Sequence, residues 1–223
     1  MKLTRQEIIL PFSNPIFVYN VPYQENFRMQ LIEECIKYRN ETESINLGFS
    51  NRQVGWQSQK VLFTTNDPCL KKIAENIGIA LGDAIKTITP SIDFSKYKLK
   101  TCEGWININQ KGTLHFPHIH TGSTFSGVFY VKVPKSKKID INGTDKPGFI
   151  EFLDPRNDVT SFANRVNELS NSLTFNSNLR IEPEEGTLLM FPAWLKHWVY
   201  PNNESTERIS ISFNIVIGKQ MWL

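Results

Sequence analysis

The apolar residues of this chain change from a helical to a strand-like spacing near residue 93. From Gln24 to Asn40 they recur at the spacing of one helix face. A second amphipathic helix is predicted from Pro68 to about Thr87, because Pro68 suits the first helical position and Asp67 can cap it. The apolar positions of the first helix are Phe27, Leu31, Ile32, Cys35 and Ile36. Residues 1–93 are therefore predicted to be a helical or mixed N-terminal part.

Beyond this point the pattern alternates with a period of two, as in a β-strand with two different faces. In T-C-E-G-W-I-N-I-N, one face carries Trp105, Asn107 and Asn109, and the other carries isoleucines. Four further strand-like runs end at Gly or Pro or lie next to them. They are F-S-G-V-F-Y-V-K-V-P, G-F-I-E-F-L-D-P, G-T-L-L-M-F-P and R-I-S-I-S-F-N-I-V-I-G.

Several short strands favour a double-sheet jelly roll or barrel over a parallel α/β sheet. We predict a mainly β fold, a double-stranded β-helix (jelly roll, cupin-like), with the N-terminal α-helices packed on the barrel. Residues 94–223 form its core, and the length of 223 residues favours one domain, 1–223. The Asn- and Ser-rich stretch 157–178 is predicted to be an inserted loop, either a lid over a site or a surface insertion.

Composition and charge exclude several classes of protein. The chain is 40% hydrophobic and 21% charged, which is typical of a soluble globular protein. A formal net charge of +3 is too small to indicate a nucleic-acid partner. No apolar run reaches the ~20 residues of a membrane span, and Glu7 and Pro11 interrupt any signal-peptide core. The three cysteines lack C-x-x-C spacing. A cytoplasmic protein with reduced thiols and no membrane partner is expected.

The histidines are the first candidates for chemistry. Of four in the chain, His115, His118 and His120 lie in H-F-P-H-I-H and His197 stands apart. In extended backbone His118 and His120 point to the same face, and a barrel could bring His197 opposite them. Neutral imidazole suits Zn, Cu, Fe or Ni, so ligand type alone does not choose the metal. We interpret these three as metal ligands and His115 as a hydrogen-bonded structural residue.

The last predicted strand has a second unusual face. In R-I-S-I-S-F-N, apolar side chains alternate with Arg208, Ser210, Ser212 and Asn214. Simple exposure to solvent would explain one such polar face. The matching face of the Trp105 strand instead indicates a polar, ligand-binding lumen between sheets. The guanidinium of Arg208 is a rigid fork of donors suited to a carboxylate, to which a Ser hydroxyl can add a second bond.

These motifs are similar to those of a known family. The stretch W-I-N-I-N-Q-K-G-x5-H-I-H-T-G-S-T-F-S-G-V-F-Y-V-K-V-P, then G-F-I-E-F-L-D-P-R, then E-E-G-T-L-L-M-F-P-A-W-L-K-H-W-V-Y-P-N-N-x4-R-I-S-I-S-F-N resembles the 2-oxoglutarate- and Fe(II)-dependent oxygenases of bacteria and their viruses. With L-P-F-S-N-P-I-F and G-W-Q-S upstream, the resemblance covers nearly the whole chain. In the wider superfamily the first motif is H-x-D. Here His120 occupies the place of the aspartate.

The resemblance implies a ligand set and a reaction. Iron would be held by His118, His120 and His197, with a carboxylate such as Asp154 as the alternative third ligand. The cosubstrate 2-oxoglutarate would react with O2 to give succinate and CO2 while a substrate C–H bond is hydroxylated, with ascorbate as a possible reductant in vitro. Asn107 matches a cosubstrate-contacting Asn of the nucleic-acid-demethylating branch, and Asn109 stands where Tyr is common. The residues expected at the cosubstrate are Arg208, Ser210, Asn107, Asn109, Tyr130 and Asn214.

Two other functions are compatible with the sequence. One is a non-catalytic cupin-like module that binds a metal or a small acid, and the other is a three-His oxygen-dependent enzyme that does not use 2-oxoglutarate. A lumen-facing Arg208 argues against the second, since such a site needs no carboxylate clamp. The sequence leaves the substrate open between a peptide or protein side chain, a small molecule and a nucleobase, and it leaves the oligomeric state open.

Overall fold

Two helices precede the main run of strands. The computed structural model describes residues 14–45, 52–53, 55–135, 148–155 and 178–219, so the predicted lid lies outside the described residues except for Asn178. Helix α1 spans Glu25–Glu41 and helix α2 spans Pro68–Ile88. The Asp67 carboxylate accepts a hydrogen bond of 2.8 Å from the Leu70 amide, as the sequence predicts for an N-cap. No helix in these ranges is long and apolar enough to cross a membrane.

About half of the other described residues lie in strands, and a short 3-10 helix, Phe94–Lys96, leads into the longest strand. Each predicted alternating run corresponds to one strand, whereas the shorter strands near the N-terminus had no clear sequence pattern. The strands are β1 (Phe17–Asn20), β2 (Arg52–Gln53), β3 (Trp56–Gln57), β4 (Tyr97–Asn109), β5 (Leu114–His118), β6 (Phe125–Lys132), β7 (Ile150–Leu153), β8 (Asn178–Ile181), β9 (Thr187–Pro192), β10 (His197–Val199) and β11 (Arg208–Lys219).

The strands form two antiparallel sheets. The six-stranded sheet has the order β1-β9-β6-β11-β4-β3, and the five-stranded sheet has the order β2-β5-β10-β7-β8. Neighbours in the sheets are often distant in sequence, which is the mark of a jelly roll rather than a meander. The predicted mainly β, double-sheet class is therefore confirmed.

The two faces of the six-stranded sheet are used differently. Its isoleucine face, which includes Ile106, Ile108, Ile209 and Ile211, belongs to one buried cluster with apolar residues of both helices. A second buried cluster contains Tyr130 and residues of β7, β9 and β10. The alternation in β4 and β11 thus puts apolar side chains toward the helices and polar side chains toward the five-stranded sheet.

Gly127, in the middle of β6, lies where this strand packs closely against its neighbours. A Cβ at this position would lie inside the 3.0 Å limit of real Cβ contacts, against both the Phe213 ring and the Leu189 carbonyl oxygen. We expect Gly127→Ala to lower the free energy of unfolding by about 3 kcal/mol, because a packed sheet cannot open to admit a methyl group. Urea denaturation measures the difference.

Gly78 in α2 provides the matched control, since a Cβ there meets nothing within 4 Å. Gly78→Ala is expected to stabilise the protein by about 0.5–1 kcal/mol, because alanine loses less backbone entropy than glycine in a helix. Equal stability of the two variants would contradict the packing of β6 described here.

Candidate active site

Three histidines converge at one end of the space between the sheets. His118 ends β5 and His197 begins β10, and the two residues are direct partners in the antiparallel pairing. His120 lies beyond the end of β5, where its amide donates to the Ala193 carbonyl at 2.8 Å. The ring centroid of His118 is 5.0 Å from that of His120 and 4.4 Å from that of His197. One potential ligand atom from each residue lies within 4.8 Å of the others.

Backbone carbonyls orient two of these rings. Nδ1 of His118 is 2.6 Å from the Phe116 carbonyl oxygen, and Nδ1 of His197 is 2.9 Å from the Leu195 carbonyl oxygen. A carbonyl can only accept, so each Nδ1 carries the proton and each Nε2 keeps its lone pair. Nε2 of His120 faces Nε2 of His197 at 3.4 Å. This is the arrangement by which an outer hydrogen bond fixes a metal-ligating imidazole.

Burial keeps these imidazoles neutral. Desolvation lowers the pKa of His120 to about 4 and that of His197 to about 3, with a further lowering from the neighbouring His118. The pKa of His118 is also lowered by burial, although its bond to the Phe116 carbonyl raises it in part. Neutral imidazole is the form that binds a metal. The cluster is therefore ready to accept a divalent cation at neutral pH.

His115 and Asp154 do not belong to this group. His115 pairs across the strands with Val199, and its Nε2 is 3.2 Å from Nδ2 of Asn109. Asp154 follows the end of β7. Among the residues that the structure describes, neither joins the convergent group, which consists of three histidines and no carboxylate. His115 thus has the hydrogen-bonded environment that the sequence analysis favoured for it.

A polar face of the six-stranded sheet, which we call the floor, extends from the histidines. We call each set of cross-strand partners on this face a rung: Arg208 faces Asn109, Ser210 lies between Asn107 and Tyr130, Ser212 lies between Trp105 and Val128, and Asn214 lies between Glu103 and Ser126. A cavity of about 340 Å³ is lined by side chains of this floor and by the three histidines. Every predicted site residue except Asn109 contributes to its lining.

Arg208 is the main electrostatic feature of the floor. The residue is only 3% exposed. Its Nη1 donates to the Gly148 carbonyl at 2.7 Å, while its Nε has no hydrogen-bond partner among the described residues. Burial lowers the pKa of Arg208, but a guanidinium stays charged. A buried cation with an unused donor is costly unless an anion binds to it, so the site fits a carboxylate ligand.

The neighbours of Arg208 add further donors. Burial raises the pKa of Tyr130 to about 12, so its hydroxyl stays protonated at neutral pH. Nδ2 of Asn107 donates to the Ser212 hydroxyl at 2.9 Å, and the Oδ1 atoms of Asn107 and Asn109 are buried without a donor from the part of the chain that the structure describes. A half-turn of Asn107 would let Ser212 donate to its oxygen and would turn its NH2 group into the cavity.

Some of the residues that line the cavity were not found in the sequence. They include Glu103, Ser126 and Lys60. Glu103 could have been found by extending the period-two pattern of β4 from Trp105. Lys60 could not, because it reaches the cavity from the segment after β3 and meets Glu103 at 2.6 Å.

The fold and the cavity define a class of protein, a jelly roll in which three convergent histidines and a buried arginine line one cavity. The chain belongs to the 2OG-Fe(II) oxygenase family, because the family model described as "Putative 2OG-Fe(II) oxygenase" matches residues 103–214, about half of the chain. It is therefore an enzyme that uses Fe(II) and 2-oxoglutarate. None of the curated proteins matches the chain in sequence.

Solved structures share this fold at low sequence identity. A prolyl-4-hydroxylase from Pseudomonas putida has a TM-score of 0.62 at 11% identity, with 92% of this chain and 93% of that chain covered. A Trichoplax adhaerens prolyl hydroxylase, in complex with a hypoxia inducible factor peptide fragment, has a TM-score of 0.63 at 12% identity, with 92% of this chain and 84% of that chain covered. HygX from Streptomyces hygroscopicus, with nickel and 2-oxoglutarate bound, has a TM-score of 0.57 at 11% identity, with 91% of this chain and 83% of that chain covered. At this identity the likeness concerns the fold.

Proposed function

We propose that the chain acts as a single oxygenase domain, 1–223, in which His118, His120 and His197 hold Fe(II) and the floor beside Arg208 holds 2-oxoglutarate. The observation that carries this proposal is that the convergent imidazoles and the buried guanidinium line the same cavity. Bound Fe(II), 2-oxoglutarate and O2 together supply the oxidising chemistry, which yields succinate and CO2 and places one oxygen atom in a substrate C–H bond.

The residues of the floor bind and orient the cosubstrate. Arg208 donates to the distal carboxylate, and the Tyr130 and Ser210 hydroxyls add donors beside it. The Asn107 amide turns its NH2 group toward the cosubstrate, and Asn109 supports this end of the floor through its bond to His115. Their fixed positions hold the keto-acid end toward the histidines without further reorganisation.

Apolar side chains exclude water from the metal centre. The Phe191 ring lies 4.8 Å and the Phe152 ring 5.7 Å from the His197 ring. Ile150 and Val199 line the cavity on the side of the five-stranded sheet. These walls limit the access of bulk water, which protects a reactive oxidant from unproductive reduction.

The substrate we propose is a peptide or protein side chain or a small molecule, hydroxylated in the cytoplasm. Proteins of this fold include one crystallised with a peptide fragment and one crystallised with hygromycin B, which supports both kinds of ligand as candidates. The formal net charge of +3 gives no support to a nucleic-acid substrate.

Reconstitution with Fe(II) under argon tests this function. We expect one iron per chain, binding of 2-oxoglutarate by titration calorimetry, and succinate release once O2 and ascorbate are admitted. Slow release without substrate is sufficient, because iron, cosubstrate and O2 form succinate and ascorbate supplies the electrons that return the iron to Fe(II). Iron binding with neither cosubstrate binding nor succinate would favour the cupin-like binding module instead.

A further inference from the structure

The cavity continues past the histidines on the side away from Arg208. The His120 ring lies 6.5 Å from the Trp105 ring, so the metal centre lies near the rung of Trp105 and Ser212. Asn214 is six residues from Arg208 on the same strand, a distance of about 20 Å. The two carboxyl carbons of 2-oxoglutarate are only about 5 Å apart, given C–C bonds of about 1.5 Å. A cosubstrate on Arg208 therefore leaves the Asn214 rung free for another molecule.

Three of the groups on that far side can attract a cation. The Oδ1 atom of Asn214 is buried and has no donor among the described residues. Glu103, its cross-strand partner, contributes a carboxylate, and Trp105 contributes an indole ring. A carbonyl oxygen, a carboxylate and an aromatic face all attract a positively charged N–H donor. We call Trp105, Glu103 and Asn214 the outer cluster.

We propose that the outer cluster binds a substrate that carries a cationic nitrogen, an ammonium or a guanidinium group, and so presents a nearby C–H bond to the metal centre. The proposal rests on the proposed function, since it places the substrate beside a cosubstrate held by Arg208. It also reassigns Asn214, which the sequence analysis grouped with the cosubstrate residues, to the substrate.

Lys60 is the group that a substrate cation would replace. Its Nζ lies 2.6 Å from Glu103, but its side chain is 58% exposed and that of Glu103 is 33% exposed. Such an exposed pair is weak, since water solvates both charges when they separate. Lys60 can therefore move into solvent while Glu103 exchanges one cation for another. An anionic substrate would gain Lys60 but would meet the carbonyl oxygen of Asn214 and the indole face.

The test compares three probes of similar size: n-butylammonium, butan-1-ol and butanoate. Each is titrated under argon into protein loaded with Fe(II) and 2-oxoglutarate, and binding is followed by broadening of the probe's NMR signals by the paramagnetic iron. We expect n-butylammonium to bind about tenfold more tightly than the alcohol, and butanoate to bind most weakly. The same samples report iron content and cosubstrate affinity, so failure of the proposed function is recognised separately.

Two variants should change the affinity for n-butylammonium in opposite directions. Glu103→Gln keeps the shape but removes the charge, and it should weaken n-butylammonium binding about tenfold. Lys60→Met removes the competing cation and should strengthen it about threefold. The exposed pair of Lys72 and Glu75 on α2 provides the controls Glu75→Gln and Lys72→Met, which should change nothing.

Two results would overturn the proposal. If butanoate bound best and the effects of the Glu103 and Lys60 variants were reversed, the result would identify an anion site on Lys60. Equal binding of the three probes, unchanged in the Glu103 and Lys60 variants, would make the outer cluster a structural feature only. Iron content and 2-oxoglutarate affinity that stay normal in those variants would show that either result concerns the substrate side alone.

Discussion

His197→Ala should abolish succinate formation and weaken Fe(II) binding by more than about 100-fold. Removing only an outer hydrogen-bond partner of a metal ligand costs about 10- to 100-fold in affinity, and the loss of a direct ligand costs more. His197 is the most buried of the three histidines, so no solvent-exposed group can replace it. Iron content after gel filtration and succinate release measure the two effects.

His115→Ala is the matched control, because His115 lies on the same strand as His118 but outside the convergent group. It should keep its iron. His118→Ala and His120→Ala should behave like His197→Ala. Full iron occupancy in His120→Ala would instead point to a carboxylate as the third ligand, and Asp154→Asn would then be the next variant to assay.

Arg208→Lys should raise the KM for 2-oxoglutarate by roughly tenfold or more. The substitution keeps the positive charge but loses the planar fork that binds a carboxylate with two parallel hydrogen bonds. We expect a smaller change in kcat at saturating cosubstrate and a folded protein by circular dichroism. Steady-state succinate formation against 2-oxoglutarate concentration measures both constants.

Arg180→Lys is the control for this experiment. Arg180 also donates to a carboxylate, that of Glu151 at 2.5 Å, but it does not line the cavity. The KM of the Arg180→Lys variant for 2-oxoglutarate should equal that of the unmodified protein. An unchanged KM in Arg208→Lys would remove Arg208 from the cosubstrate site.

The sequence predicted those features that depend on local periodicity. The alternation in β4 and β11 identified the two faces of the sheet, and the Asp67-Pro68 pair identified the start of α2. The family assignment and the jelly-roll class are likewise confirmed. The roles of individual site residues and the single-domain organisation remain predictions.

Features that depend on distant pairing could not be predicted in the same way. The sequence placed His118 and His120 on one face of an extended strand, but β5 ends at His118 and the Ala193 carbonyl fixes His120. The contact between Lys60 and Glu103 likewise depends on how the segment after β3 follows the edge of β4. The predicted lid at 157–178 also remains a prediction.

The alternating faces of β11 assign core packing and cavity lining to different residues. Its isoleucines pack against the helices, while its polar side chains line the cavity. A slip of one residue in register would bury Arg208 in the apolar core, so the strand has one allowed alignment. Within that alignment, a change at Asn214 alters the cavity without touching the core. Under the proposed role of the outer cluster, a single substitution at Asn214 would therefore change substrate preference at little cost in folding stability.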